Sequence, residues 1–292
     1  MQVAYHIGAH VTDEDRLLKC LLKNKEVLRQ ANVAVPGPGR YRKLIRETLG
    51  ALDGAPPTSQ AQDALMDGIL DGDSARRLVL SAENFICLPQ GVFRRKALYA
   101  LAGDKTAALN RLLPATEVEF HLAIRNPATF VPALFARSAE PDLTRFLHDC
   151  DPGVLRWSDM IRQIRASCPE AALTVWCNED TPLIWSELLE SLADLPQGRQ
   201  NLAGAHDLLS EIMTGEGFRR FCAYLESHPI RSPLQKRRVI AAFLDKFAIE
   251  DQIEETIDIP GWDEAEVERI TALYEEDINT ISQMPDVELI EA

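Results

Sequence analysis

Residues 1–17 constrain the fold more than any other stretch. Met1-Gln-Val-Ala-Tyr-His-Ile-Gly-Ala-His-Val-Thr-Asp-Glu-Asp-Arg-Leu17 opens with a short apolar run, Val3 to Ile7, that reads as a buried strand. Gly8 starts a tight turn. Leu17, Leu18, Leu21, Leu22 and Leu28 then recur at helical spacing, which predicts a helix from near Thr12 or Asp13. Strand, small turn and helix in that order aim a helix N-terminus and its free backbone N–H groups at one point, a ready place for an anion. A phosphate-binding turn also carries a lysine and small or hydroxyl residues. This one carries Val11, Asp13, Glu14 and Asp15. The frame suits an anion and the charges oppose one.

The strand-then-helix unit recurs. Arg77 to Glu83, Thr116 to Ile124 and Ala172 to Cys177 read as strands, and Val33-Ala-Val-Pro-Gly-Pro-Gly39 as a short extended piece running into a turn. Helical spacing appears at Tyr41–Leu52, Gln60–Leu70, Ala97–Leu113 with a break near Gly103, Leu143–His148, Trp157–Cys168 and Pro182–Leu192. Pro127 suits the first turn of a helix reaching about Ser138. The acidic, Gly-containing segment Asp67 to Asp73 reads as a loop. Alternation of this kind predicts an α/β fold, a parallel sheet flanked by helices.

From Asp207 onward the pattern is helical only: Phe218–Ser227, Leu234–Phe247 and Asp263–Ser282. In the last of these, Asp263 and Glu266 form a capping-box pair, and Val267, Ile270, Tyr274, Ile278 and Ile281 make an apolar stripe. No long linker precedes this part. The expected organisation is an α/β domain over residues 1–200 and a helical C-terminal extension over 201–292, packed on it as a cover.

Composition narrows the function. With a net charge of -14, broad binding to nucleic acid or to an anionic membrane surface is not expected, since both need a basic face. No apolar run approaches the ~20 residues that span a bilayer, and no basic-then-apolar secretory segment opens the chain. The 6 cysteines are scattered without a C-x-x-C pair, which fits buried free thiols in a reducing cytoplasm better than a zinc site.

Three strand ends carry polar residues where open α/β sheets collect ligands: Gly8 to Asp15, Ser81 to Asn84, and Arg125-Asn126. Around them, Tyr5-His-Ile-Gly-Ala-His-Val-Thr12, Leu17 to Asn24, Val35-Pro-Gly37, Leu80-Ser-Ala-Glu83 and Ile124-Arg-Asn-Pro127 resemble the bacterial branch of the P-loop sulfotransferase family. So do Trp157-Ser-Asp-Met-Ile161, Thr174-Val-Trp-Cys-Asn-Glu-Asp180 and Ile281-Ser-Gln-Met-Pro-Asp-Val287. The resemblance covers most of the chain, and the order and spacing of the motifs tell more than any one of them. It implies a P-loop-type sheet. It also implies transfer of a sulfuryl group from the cofactor 3'-phosphoadenosine-5'-phosphosulfate to a hydroxyl or amine, on a small-molecule or glycan acceptor.

Carried over position by position, the resemblance is incomplete. The family's first motif holds the 5'-phosphosulfate with Lys, Ser or Thr, Gly, Thr, Thr. Val11 stands at the Lys position, Thr12 at the hydroxyl, Asp13 at the Gly, and Glu14 and Asp15 at the two Thr positions. The second motif reads the donor's 3'-phosphate with an Arg and a Ser eight positions on. Arg125 matches, Ala133 stands at the Ser position, and Ser138 lies one further turn along. On this resemblance Gly8, Ala9, Thr12, Arg125 and Ser138 are the donor-binding candidates. Glu83 falls where some relatives place an acidic residue near the acceptor, and His10 sits at the mouth of the turn; these two are the candidate bases.

The changes in the first motif weigh against donor binding. Valine cannot stabilise a leaving phosphosulfate as lysine does. Two like unit charges ~4 Å apart repel by about 4 kcal/mol at an effective dielectric of ~20, roughly a thousandfold in affinity. The same carboxylates favour an empty helix start, and Thr12-x-x-Asp15 is itself a capping-box pattern. The favoured expectation is thus a self-capped turn in a sulfotransferase-like protein with a binding or regulatory role, open to a protein partner. The alternative is an active sulfotransferase with an altered donor loop. A divalent metal on Asp13, Glu14 and Asp15 is disfavoured, because consecutive carboxylates point around a helix in different directions. Arg125 reads either as a phosphate contact or as an ion pair at a strand end. Lys236-Arg237-Arg238 reads as a solvated helix face, and Trp157, Trp176 and Trp185 as core.

Overall fold

The computed structural model describes residues 1–196, 202–253, 257, 259 and 261–292. The fold is α/β. Strands β1 (Gln2–His6), β2 (Val33–Ala34), β3 (Arg77–Ser81), β4 (Glu117–Ile124), β5 (Ala172–Cys177) and β6 (Glu288–Ile290) form one sheet in the order β2-β3-β1-β4-β5-β6. Every pairing is parallel. Strands β1 and β3 are buried almost throughout because helices cover both faces, so they read as unbroken apolar runs instead of alternating ones.

The two faces differ. One carries Val3, Tyr5, Leu78, Leu80, Phe120, Leu122, Ile124, Leu173 and Val175 into the larger core. There Tyr5 stacks on Phe120 with ring centroids 5.8 Å apart. Helices Ala102–Leu112, Pro127–Ala136 and Trp157–Ser167 cover that face, with Leu109, Phe130, Trp157 and Ile161 buried in it. The opposite face carries Ala4, Val79, Ala123 and Trp176 against helices Arg16–Lys23 and Thr181–Ala193. Its lower part is polar: Arg77, fully buried, donates to Glu119 at 2.8 and 2.5 Å and to the Leu192 carbonyl at 2.9 Å. A buried charge needs such a complete set of partners, because desolvation alone is expensive. Burial opposes the Glu119 charge, but the bonds to His121 and Arg77 win and hold its pKa down to about 2.

Several element boundaries differ from the periodicity for identifiable reasons. The first helix starts at Arg16, not at Thr12 or Asp13, because Val11, Glu14 and Asp15 adopt left-handed backbone (φ 52, 52 and 65°). Helix Ser59–Leu70 runs through the first half of the segment expected as a loop, and the turn is confined to Asp71 and Gly72. Gly103 does not break a helix. It lies in the first turn of Ala102–Leu112, where a Cβ would come within 2.6 Å of Ser167 Oγ and 3.0 Å of the Gln163 carbonyl, so glycine permits close contact with the neighbouring helix.

The C-terminal part is not helical throughout. After helix Glu264–Ser282 the chain re-enters the sheet as β6, paired with β5. That strand is only three residues long and lacks a sequence signal of its own. Asp263 caps the helix by accepting from Glu266 N at 2.9 Å, and Ile270, Tyr274 and Ile281 are buried as the stripe predicts. Helices Gly215–Ser227 and Pro233–Phe247 build a small core of their own around Phe221 and Ile240. They are tied to helix Thr181–Ala193 by Arg237, which donates to Glu187 at 3.0 and 2.6 Å, and by Lys236, which donates to Ser186 at 2.7 Å. Lys236 and Arg237 are therefore interior fasteners and not a solvated face. The boundary expected between residues 200 and 201 lies outside the described residues. No helix among the described residues is long and apolar enough to cross a membrane.

Candidate functional site

The strand order puts β1 between β3 and β4, with the chain leaving β1 toward β2 and leaving β4 toward β5. Connections that diverge in this way open a crevice beyond the carboxyl ends of the two strands. A cavity of about 810 Å³ occupies it, lined by Thr12, Asp13, Arg125, Arg137 and Glu179 among others, and closed on its far side by Leu208, Ile212 and Leu244 of the C-terminal helices. A second cavity, about 890 Å³, opens beyond the end of β3 and is lined by Arg42, Arg46, Glu83, Asn84, Phe85 and Lys105 among others. Asp13, Glu14 and Arg137 line both and form the wall between them.

The turn after β1 is built so that its backbone faces inward. Sheet-like bonds continue past the strand: Ala9 N donates to the Ala123 carbonyl at 3.0 Å, and Ala123 N donates to the Gly8 carbonyl at 2.8 Å. Gly8 has φ +106°, and a Cβ there would lie 3.3 Å from His10 N and 3.5 Å from Glu83 Cα, so the turn can pass this close to β3 only with glycine. Gly8 and Ala9, expected to cradle a phosphate, instead extend the pairing with β4. Thr12 Oγ1 donates back to the Ala9 carbonyl at 2.8 Å. Val11, a β-branched residue in the left-handed region, is held there with its carbonyl accepting from Arg125 Nη1.

The three carboxylates each have a separate employment. Asp13 caps the helix: Oδ2 accepts from Leu17 N at 3.0 Å and Oδ1 from Asp15 N at 3.3 Å. The Thr12-x-x-Asp15 box does not form, since Asp15 stands at the cap in left-handed backbone and its side chain bonds elsewhere. Asp15 takes the Arg42 guanidinium at 2.9 and 2.5 Å, which holds its carboxyl below the usual range. Glu14 pairs with Arg137 and lies 3.6 Å from Arg16, which in turn reaches Glu211 at 3.1 Å. Arg125 is buried, and Nε donates to Thr129 Oγ1 at 3.1 Å. Counting the lining, the first cavity holds Asp13, Glu14, Glu179 and Glu211 against Arg16, Arg125 and Arg137, so it carries no excess of positive charge.

The remaining candidates fall elsewhere. Glu83 lines the second cavity and not the first, so Arg125 and Glu83 do not share one cleft. Burial raises the Glu83 pKa, and the charges of Asp15 and Asp13 raise it further. His10 is not at the mouth of the turn. It is 1% exposed, stacked on Tyr99, with Nδ1 2.7 Å from Tyr99 Oη and Nε2 3.1 Å from Asn84 Oδ1. Burial lowers its pKa, and with both ring nitrogens engaged it serves as a strut. Ser138 lies beyond helix Pro127–Ala136 and its hydroxyl accepts from Glu140 N at 3.0 Å; Ala133, one turn earlier, is the residue that faces the first cavity. Trp157 is core as expected, and its Nε1 donates to the Arg125 carbonyl at 2.8 Å, fixing the strand end.

Arg42 and Arg137 were not legible as site residues. Both sit on or just after ordinary helices, and what marks them is their partners: Glu14 for Arg137, and Asp15 with the Ser81 carbonyl (2.9 and 2.8 Å) for Arg42. Among the described residues, no group of three or more His, Cys, Asp and Glu side chains is placed to hold a metal ion. No family model matches the chain, and no curated protein is found to match it.

Proposed function

We propose that the chain is a sulfotransferase-like protein whose site for the 5'-phosphosulfate is filled by its own carboxylates, leaving a weak or non-catalytic binding or regulatory role. One observation carries the reading: the Asp13 carboxylate accepts from Leu17 N and Asp15 N, the amides that a bound phosphate would need. Glu14 on Arg137 and Asp15 on Arg42 complete the same substitution of internal anions for an external one. An anionic donor would have to displace these pairs and then lie beside the freed carboxylates. In this reading any ligand of the first cavity is not a bisphosphate nucleotide.

A second reading rests on Glu83. A half-buried carboxyl with a raised pKa beside an open cavity is suited to take a proton from a hydroxyl or amine acceptor. In that case the chain is an active sulfotransferase that uses 3'-phosphoadenosine-5'-phosphosulfate through an altered site, with Arg125 toward the 3'-phosphate. Calorimetric titration of the full chain with 3'-phosphoadenosine-5'-phosphate separates the two. The first reading expects no saturable heat at micromolar ligand; micromolar affinity would sink it in favour of the second.

A further inference from the structure

A third cavity, about 750 Å³, lies away from the β1 turn, between helix Thr181–Ala193 and helices Gly215–Ser227 and Pro233–Phe247. Its lining has two characters. Leu202, Phe218, Leu225 and Ile230 offer apolar surface, while Ser186 and Lys236 offer a hydroxyl and an ammonium. Lys236 is half-buried, and Nζ donates to Ser186 Oγ at 2.7 Å. Among the described residues no carboxylate pairs with it within 4.0 Å.

The acidic groups that line this cavity are committed to other partners. Glu187 is held by the Arg237 fork at 3.0 and 2.6 Å, Asp207 pairs with Lys23, and Glu190 is engaged as well. His206 adds no charge at neutral pH: burial, then the Lys236 ammonium, push its pKa down to about 4. Arg231 stands exposed at the rim. Burial also holds the Lys236 pKa below the ordinary lysine value, against the pull of Glu190 and Glu187. Among the described residues the cavity thus presents one half-buried cation with a hydroxyl as its direct partner, alongside apolar side chains. A partly desolvated cation is best satisfied by an anion that brings its own apolar cover.

We infer that this cavity binds an organic anion with an apolar body, a medium-chain or aromatic carboxylate, with its carboxylate on Lys236 and Ser186 and its body against Phe218 and Leu225. The inference does not depend on the sulfotransferase-like reading, which concerns the two cavities above the sheet.

Decanoate is a suitable probe, with decanol as its neutral counterpart, titrated calorimetrically into the full chain. Saturable one-to-one binding of decanoate is expected. Loss of one charge-assisted hydrogen bond is worth about tenfold to a hundredfold, so decanol should bind more weakly by that factor, and Lys236→Met should weaken decanoate similarly. Lys236→Arg should retain most of the affinity. Leu225→Trp, which fills the apolar end without touching the cation, should abolish binding while thermal unfolding stays cooperative. If Lys236→Met fails to fold, the decanoate and decanol comparison on the unaltered chain still decides. Absence of saturable decanoate binding overturns the inference. So does equal binding of decanol, or unchanged affinity in a folded Lys236→Met variant, because either shows adhesion to apolar surface only.

Discussion

The two cavities above the sheet share a wall and differ in how their charges are used. In the first, the turn after β1 contributes two carboxylates that are both spoken for, Asp13 on the helix amides and Glu14 on Arg137, while Asp15, paired with Arg42, lines only the second. In the second, Glu83 pairs with no cation within 4.0 Å among the described residues, and it is pushed toward its protonated form by burial and by Asp15 and Asp13. In the proposed reading the same acidic turn closes one cavity to anions, and it raises the pKa of a carboxyl in the other. In the proposed reading, a loss of donor binding and a tuned carboxyl are two consequences of the same three carboxylates.

The sharpest way to break that comparison is to undo the pattern. Val11→Lys combined with Asp13→Gly, Glu14→Thr and Asp15→Thr restores the cation and hydroxyls of the resemblance and frees the helix amides. Removing one close like-charge contact alone is worth roughly a thousandfold in affinity. Calorimetry with 3'-phosphoadenosine-5'-phosphate should therefore show binding in the quadruple variant where the parent shows none. No gain would mean that the first cavity excludes the nucleotide for another reason, such as the helical wall of Leu208, Ile212 and Leu244.

A smaller effect separates the structural role of the turn from any ligand role. Asp13→Ala removes the side chain that accepts from Leu17 N at the start of helix Arg16–Lys23, a loss typically worth ~1 kcal/mol. Denaturant unfolding should report a lower midpoint with an unchanged slope. Thr12→Ala, by contrast, loses a single hydroxyl bond to a carbonyl and should cost less. If the two variants were equally stable, the capping argument for Asp13 would fail.

How far this site was legible in the sequence follows from the kind of signal each residue gives. The strand ends at Ile124 and Cys177 follow from apolar patterning, the helix start at Pro127 from proline's fit to a first turn, and the core tryptophans from their bulk and apolarity; all are local signals, and the structure bears them out. The strand β6 was hidden because three residues cannot show a period. The start of the first helix was misplaced because left-handed backbone at Val11, Glu14 and Asp15 is imposed by tertiary partners, against the local preference of those residue types. His10 could be read as a candidate base or, more readily, as an ordinary semi-buried histidine, because the residue type alone does not signal full burial. Its partners Tyr99 and Asn84 are 89 and 74 residues away in the chain. Which cavity a candidate faces is a property of packing, and for Glu83 it separated residues that the sequence had placed together.

The tuning of Glu83 makes a pH-dependent prediction. Its pKa is raised in the folded chain, so the group adds stability while protonated, below its ordinary value of 4.5, and that contribution is lost as pH rises through the folded pKa. At pH 7 the ionised carboxylate is a cost, and Glu83→Gln should be more stable than the parent there and converge with it near pH 4. Asp15→Asn should lower the Glu83 pKa, because it removes a neighbouring negative charge and leaves Arg42 unneutralised nearby. Carbon NMR of labelled glutamate carboxyls measures this shift directly. A Glu83 pKa indifferent to Asp15→Asn would show that Asp15 plays no part in raising it and leave burial and Asp13 as the causes.

The least costly change tests the wall itself. Glu14 and Arg137 are each 45% exposed, and an ion pair that open to water contributes less than about 1 kcal/mol. Glu14→Gln should therefore leave thermal stability almost unchanged. It would nonetheless remove the anion that occupies Arg137 at the boundary of both cavities, without disturbing the Asp13 cap or the Asp15 pair with Arg42. If Arg137 is held from external anions chiefly by Glu14, inorganic sulfate should perturb the Arg137 side-chain resonances in Glu14→Gln at concentrations that leave the parent unaffected. Equal responses in the two chains would mean that the exposed pair already opens freely in water. In that case the proposed closure of the first cavity would fall to Asp13, whose carboxylate accepts from two backbone amides and pairs with no cation among the described residues.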